Sequence, residues 1–156
     1  IWEPPAVSTQ GGQNINQTFS SSTPVASEPS NYPENFQAIA TGSSGIITSW
    51  TDSVPGAQAP AGYLLLCSTS NTFTAPEDGI EYPESVEVKH ISYGTETATW
   101  TGLTSSTNYS FAIFPYTNSG AAIDYKTDGQ QPTAMATTST PSQTADLAPI
   151  LQVLLH

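Results

Sequence analysis

Positive charge is almost missing from this chain. It holds two lysines, Lys89 and Lys126, and no arginine, against thirteen acids, for a net charge of −11. Such a surface repels phosphate backbones and anionic lipids, which excludes nucleic-acid binding and electrostatic membrane attachment. Charge of either sign is scarce, at 10% of residues against roughly 25% in an average globular chain. Cysteine is nearly absent as well. Cys67 stands alone, so no intrachain disulfide can form. It ends the apolar run Tyr63-Leu-Leu-Leu-Cys67 and reads as a small buried hydrophobe, since neither His90 nor His156 has the context of a catalytic partner. No apolar run approaches the roughly 20 residues of a membrane-spanning helix. Helical periodicity is missing before residue 144. The opening Ile1-Trp2-Glu3 has no signal-peptide pattern, as expected of a processed form or a fragment.

Serine and threonine fill the gap left by charge, a composition suited to an extracellular β-rich protein with a hydroxylated surface. Residues 1–32 are polar and proline-containing, an extended N-terminal segment. Within it Gln13 to Phe19 alternates apolar and polar residues, with Ile15 and Phe19 placed to add a strand to a sheet edge. From residue 33 short alternating runs follow one another. They predict strands at 35–41, 46–51, 63–68, 86–91, 95–100, 108–117 and 133–138, separated by Gly-, Pro- and Asn-rich turns. Trp50 is expected inside, with Ile46 and Thr48 on its face of the pleat. Val86, Val88 and His90 share a face, and Asp124 to Gly129 reads as a loop. Seven short strands between residues 33 and 138 are the pattern of an all-β, seven-stranded β-sandwich. Residues 139–156 form an apolar C-terminal segment, in which Ile150, Leu151 and Leu154 need a surface to dock on. It reads as either a short helix or an extended strand.

The densest signal is Trp100 to Gly120: a strand ending at Trp100, a tight corner, then a long strand from Asn108. The tryptophan at 50, Gly62-Tyr63, and Leu103-x-x-x-Thr107-x-Tyr109 together resemble a fibronectin type III domain, an immunoglobulin-like sandwich. The resemblance implies a core of Trp50, Tyr63, Trp100, Leu103, Tyr109 and Phe111. It also implies a corner in which the Tyr109 hydroxyl bonds back to upstream backbone, with Leu103 packed beneath. Further motifs narrow it. Tyr32-Pro33-x-Asn35-Phe36, Ala75-Pro76-Glu-Asp78-Gly79, Phe114-Pro115-Tyr116-Thr117-Asn118-Ser119-Gly120 and Asp124-Tyr125-Lys126-Thr127-Asp128-Gly129 resemble the type III modules of secreted and surface proteins of Bacteroidetes. That resemblance implies an extracellular or cell-surface spacer or adhesion unit beside other domains.

No catalytic constellation appears, and no cofactor or metal is expected. Glu77, Asp78, Asp124 and Asp128 sit in Asp-Gly turn contexts without the spaced oxygens of a calcium loop. Asp52-Ser53-Val54 matches the short pattern at which Bacteroidetes attach O-glycans, which makes Ser53 a candidate acceptor. Asn16 and Asn108 head N-glycosylation tripeptides. Trp2, Tyr82, Tyr93, Tyr116 and Tyr125 are aromatics that stack on carbohydrate if exposed and serve as core or interface packing if not. The expectation is a non-catalytic structural and assembly module, associating with other copies of itself or with neighbouring domains through its terminal segments and forming fibres. The alternative is a spacer or carbohydrate-binding adhesion module cut from a larger surface protein.

Overall fold

The computed structural model describes residues 25–142. Ile15, Phe19, Ile150, Leu151, Leu154, Trp2 and Asn16 lie outside them.

Alternation decides the architecture. In β2, Gly45–Thr51, residues Ile46, Thr48 and Trp50 are buried, while Ile47 and Thr51 are exposed and Ser49 is half-exposed. In β5, Thr97–Thr101, Ala98 and Trp100 are buried between exposed threonines. With β1, Glu34–Ala40, these strands form an antiparallel sheet in the order β1-β2-β5. The second sheet has β3, Gly62–Ser68, and β6, Asn108–Thr117, at its centre. On the far side of β3 is β4, Val88–Ser92. Beyond β6 lie β7, Asp124–Tyr125, and β8, Thr133–Thr137, both paired to β6 at different points along it. The two sheets stack as a sandwich.

The layer between them is apolar. Ile46, Trp50, Ala98 and Trp100 from one sheet meet Tyr63, Leu65, Cys67, Tyr109, Phe111 and Ile113 from the other. Trp50 packs edge-on against Tyr63, with ring centroids 5.6 Å apart, and Trp100 lies 5.2 Å from Phe111. Polar atoms on several of these rings find partners, although the buried Trp50 Nε1 has none among the described residues. Trp100 Nε1 donates to Thr48 Oγ1 at 3.1 Å, and the Tyr109 hydroxyl accepts the Thr104 N–H at 2.9 Å, closing the corner. Leu103 is half-buried against the same core.

Three expectations change. Residues Asp124-Tyr125 are not loop but an eighth strand. Two residues are too few for an alternating pattern, and the side chain of Asp78 supplies the missing order by accepting the Tyr125 N–H at 2.8 Å. The fourth strand begins at Val88, because Ser85 N–H closes a turn onto the Val88 carbonyl and leaves Val86 72% exposed. The fifth begins at Thr97, because Gly94, at φ 91°, and the Thr95 N–H bonded to the Ser92 carbonyl form a turn.

Burial also sets an alkaline limit. It pushes the phenols of Tyr63 and Tyr125 up to about 12, and that of Tyr32 likewise, with the Asp128 carboxylate adding to the last. In the unfolded chain a phenol ionises near 10. The unfolded state therefore releases these protons first as pH rises. The stability they carry is intact below about pH 10 and is lost between about 10 and 12. The late part of the tyrosinate absorbance is expected to appear together with loss of the β-sheet circular dichroism. All phenols ionising below about pH 11 with the sheet signal intact would contradict this.

Candidate functional site

The outward faces of β3 and β6 are apolar too. Leu64, Ala112 and Phe114 are buried there with Ile123 and Tyr125, and Leu66, Phe73, Tyr82, Val88 and Tyr116 pack around them. What keeps water off this second cluster is the connection from β3 to β4, residues 69–87, which folds back over the sheet as a strap. A connection this long without regular structure is uncommon in a compact domain. Hydrogen bonds hold it in place. Gly79 N–H donates to the Ile123 carbonyl at 2.8 Å, and the Tyr125 hydroxyl donates to the Ile80 carbonyl at 3.1 Å. Glu81 Oε2 accepts the Gly120 N–H at 2.8 Å, and a His90 ring nitrogen meets the Tyr82 carbonyl at 2.7 Å. The Ala75-to-Gly79 motif and the Asp124-Tyr125 motif thus face each other.

Two clefts flank Phe73 on this strap. The larger, about 350 Å³, runs between the strap and β3–β4 past Leu66, Thr72, Tyr82 and Val88, and carries the carboxylates of Glu77 and Glu87. The smaller, about 280 Å³, lies toward β8 and is lined by Asn71, Phe73, Ser110, Thr133, Ala134 and Met135. Ser110 pairs in register with Met135, and Ala112 with Thr133. Directly opposed residues in an antiparallel pair share a face, so the two small side chains of β6 leave a depression beside the larger ones of β8. The Ser110 hydroxyl is buried and has no hydrogen-bond partner among the described residues.

A second tie crosses the end of the domain. Residues 25–32 do not leave the sandwich. Ala26 N–H donates to Asn118 Oδ1 at 2.9 Å, and Asn118 Nδ2 donates back to the Ala26 carbonyl at 2.7 Å, so one amide side chain stands in for a paired strand. Thr117 Oγ1 donates to the Ser27 carbonyl, and Ser30 and Gln58 exchange two bonds. Lys126 bridges Glu28 and Asp128, and its ammonium lies 5.3 Å from the centre of the Tyr32 ring. Lys126 holds Asp128 below the usual carboxylate range, whereas burial and then the neighbouring Asp128 raise Glu28. Among the described residues, contacts with the sandwich therefore reach back to Ala26, within the segment read as residues 1–32.

The structure distributes the sequence candidates unevenly. Trp50, Tyr63, Trp100, Tyr109 and Phe111 lie in the inner core, with Leu103 beside them. Ser53 requires a correction. It is 1% exposed, its N–H donates to the Tyr63 hydroxyl at 3.0 Å and its Oγ lies 3.3 Å from the same oxygen. An O-glycan needs its acceptor hydroxyl in solvent, and this one is locked in the interior. Tyr125 is fully buried, Tyr82 and Tyr116 are half-buried, and Tyr93 is exposed at its edge while donating to the Ser53 carbonyl at 3.2 Å. Burial, with Glu87 nearby, raises the Cys67 thiol to about 12, which keeps it unreactive. Asp78 is engaged by Tyr125, Asp128 by Lys126, and burial followed by Asp78 raises Asp124. Among the described residues no three acids, histidines or cysteines group to hold a metal. Phe73 and Met135 belong to none of the motifs read in the sequence, and the motifs that contain Ser110 and Asn118 give no hint of the roles described here. Only Phe73, an isolated aromatic in a polar run, offered a signal.

Asn118→Ala removes both bonds to Ala26 and puts alanine at φ 60°. It is expected to cost about 1–3 kcal/mol and to open residues 25–32 to proteolysis. An unchanged melting point and cleavage pattern would contradict the tie.

Comparison with known proteins agrees with this geometry. The sequence model of the fibronectin type III domain family matches residues 31–128. No curated protein matches the chain. Among solved structures, the fn3 domain of the human collagen alpha-1(XX) chain is similar at 17% identity over 81% of this chain and 98% of that one, with a TM-score of 0.49. The chicken CNTN1 FN1-FN3 domains are similar at 18% identity over 72% of this chain and 31% of that one, with a TM-score of 0.51. Domains from titin are similar at 13% identity over 74% of this chain and 34% of that one, with a TM-score of 0.50. This chain spans about a third of the last two structures. At these identities the likeness is one of fold.

Proposed function

This chain belongs to the fibronectin type III domain family, and on that premise we propose that it is a non-catalytic structural and assembly module whose copies associate through their terminal segments. Domains of this family are generally structural and non-catalytic, are commonly extracellular, and typically stand beside other domains in multidomain proteins. No helix among the described residues is long and apolar enough to cross a membrane. The Asp78–Tyr125 contact joins two of the motifs that resemble Bacteroidetes modules. The resemblance of those motifs supports a secreted or cell-surface setting of that kind.

The observation that carries the assembly reading is the free edge of β5. Edge strands invite pairing unless they are blunted by a bulge, a proline or an inward charge. β1 has a bulge between Glu34 and Gln37, and β4 carries Lys89, whose ammonium lies 5.2 Å from the centre of the Trp100 ring. β5, Thr-Ala-Thr-Trp-Thr, has no bulge, proline or charge of its own, the Lys89 ammonium reaching it from β4 only at the Trp100 ring, and it pairs only with β2 among the described residues. The alternating sequence of residues 13–19 from another copy is long enough to pair along it, with main-chain bonds for affinity. A contact between unlike surfaces does not close on itself and builds filaments. The uncharged cleft beside β8 favours a second role, carbohydrate binding, which is compatible with the first.

The test compares the full chain with residues 25–156 by light scattering and electron microscopy. The cut falls after residue 24 because residues 26–32 belong to the domain's own packing. The full chain is expected to associate and the shortened one to stay monomeric with its melting point kept. Thr99→Lys, which charges the free edge on its solvent face, is expected to weaken association at least tenfold while the domain still folds. A shortened chain that assembles normally, or a full chain that stays monomeric, would sink the reading.

A further inference from the structure

On a surface as acidic as this one, the cleft between the strap and β8 is unusual in carrying no charge at all. Its six lining residues are an amide, an aromatic ring, two hydroxyls, a methyl and a thioether. Two features point to a ligand. The first is shape: about 280 Å³ lies near the lower end of the range for small-molecule pockets. That suits one six-membered ring with its substituents better than a peptide. The second is the Ser110 hydroxyl. Ser110 is 2% exposed, lines the cleft, and its Oγ has no hydrogen-bond partner among the described residues. A buried hydroxyl left unpaired is costly, and folded proteins rarely keep one without a reason.

We propose that this cleft binds a single uncharged pyranose residue of a glycan. The half-buried Phe73 ring offers a flat apolar surface for the C–H face of the sugar, with the Met135 thioether, 60% exposed, at the rim. Ser110, Thr133 and Asn71 supply neutral donors and acceptors for its hydroxyls. Charge selects the class. An anionic sugar finds no cation here and meets the Glu77 and Glu87 carboxylates of the adjoining cleft, within a chain of net charge −11. A cationic ligand finds no carboxylate in the lining. An apolar side chain from a protein partner would fill the volume but leave the Ser110 hydroxyl unpaired. A neutral ring with several hydroxyls satisfies both the apolar wall and the orphan oxygen. This inference deepens the carbohydrate-binding role and is independent of assembly, since β5 lies in the other sheet.

The experiment titrates the isotope-labelled full chain with cellobiose, maltose and N,N′-diacetylchitobiose, each to about 50 mM, followed by amide NMR. One ring in a shallow site predicts a dissociation constant of about 1 mM or weaker. At least one disaccharide is expected to shift the amides of Asn71, Ser110 and Thr133 along a saturable curve, while glucuronic acid leaves them in place. Ser110→Ala is expected to weaken binding about three- to tenfold without lowering the melting point, because it removes a hydroxyl the free protein leaves unpaired. Phe73→Ala is expected to abolish the shifts while the sheet signal persists. The same shifts in residues 25–156 would separate this site from assembly. No shift with any of the three disaccharides, or shifts that survive both substitutions, would overturn it.

Discussion

The whole structure depends on β6 being dry on both sides. Its inward residues Tyr109, Phe111 and Ile113 meet the opposite sheet, and its outward residues Ala112 and Phe114 are just as buried. An antiparallel sheet commonly leaves one face to solvent. Here that face is apolar, so something has to cover it. Apolar contact from Phe73 and Tyr82 covers it, and the hydrogen bonds involving Asp78, Glu81, Gly79 and Tyr125 fix the course of the strap. They also satisfy backbone groups that burial would otherwise strand.

That constraint explains what could be read from the sequence and what could not. The inner face was legible because it alternates. Ile46-Thr48-Trp50, Ala98-Trp100 and Tyr109-Phe111-Ile113 each repeat every second residue, and the sandwich follows from their spacing. The unbroken Leu64-Leu65-Leu66 run interrupts the alternation, as a strand covered on both faces does, but says nothing of what covers it. The strap has no period, since its order comes from contacts made by residues distant in sequence. Asp78 meets Tyr125 and Glu81 meets Gly120 only after the sheet exists. For the same reason the two-residue β7 was invisible, and the sequence left Tyr125 open between an exposed and a packed aromatic. Ser53 misled because a three-residue motif says nothing of burial, and the Tyr63 hydroxyl that claims it lies on another strand. Ser110 is the opposite case. It alternates with the inward Tyr109 and Phe111 and so faces outward, but its missing partner is a property of the space around it, which no local pattern encodes.

The scarcity of positive charge, evident from composition alone, has its clearest structural consequence at the sheet edges. Lysine is among the commonest guards of an exposed strand edge, and this chain has two. Lys89 serves on β4, set over Trp100, and Lys126 is committed to Glu28 and Asp128 at the end of the domain. β5 itself carries no cation, and Lys89 reaches it only at the Trp100 ring. Its solvent face is built from Thr97, Thr99 and Thr101, which keep the strand soluble without repelling an added one. A net charge of −11 repels other copies, and at ordinary ionic strength that repulsion reaches only about 8–10 Å. A strand added at β5 comes inside that distance, so the proposed pairing has to draw on main-chain hydrogen bonds along an edge whose own side chains carry no charge.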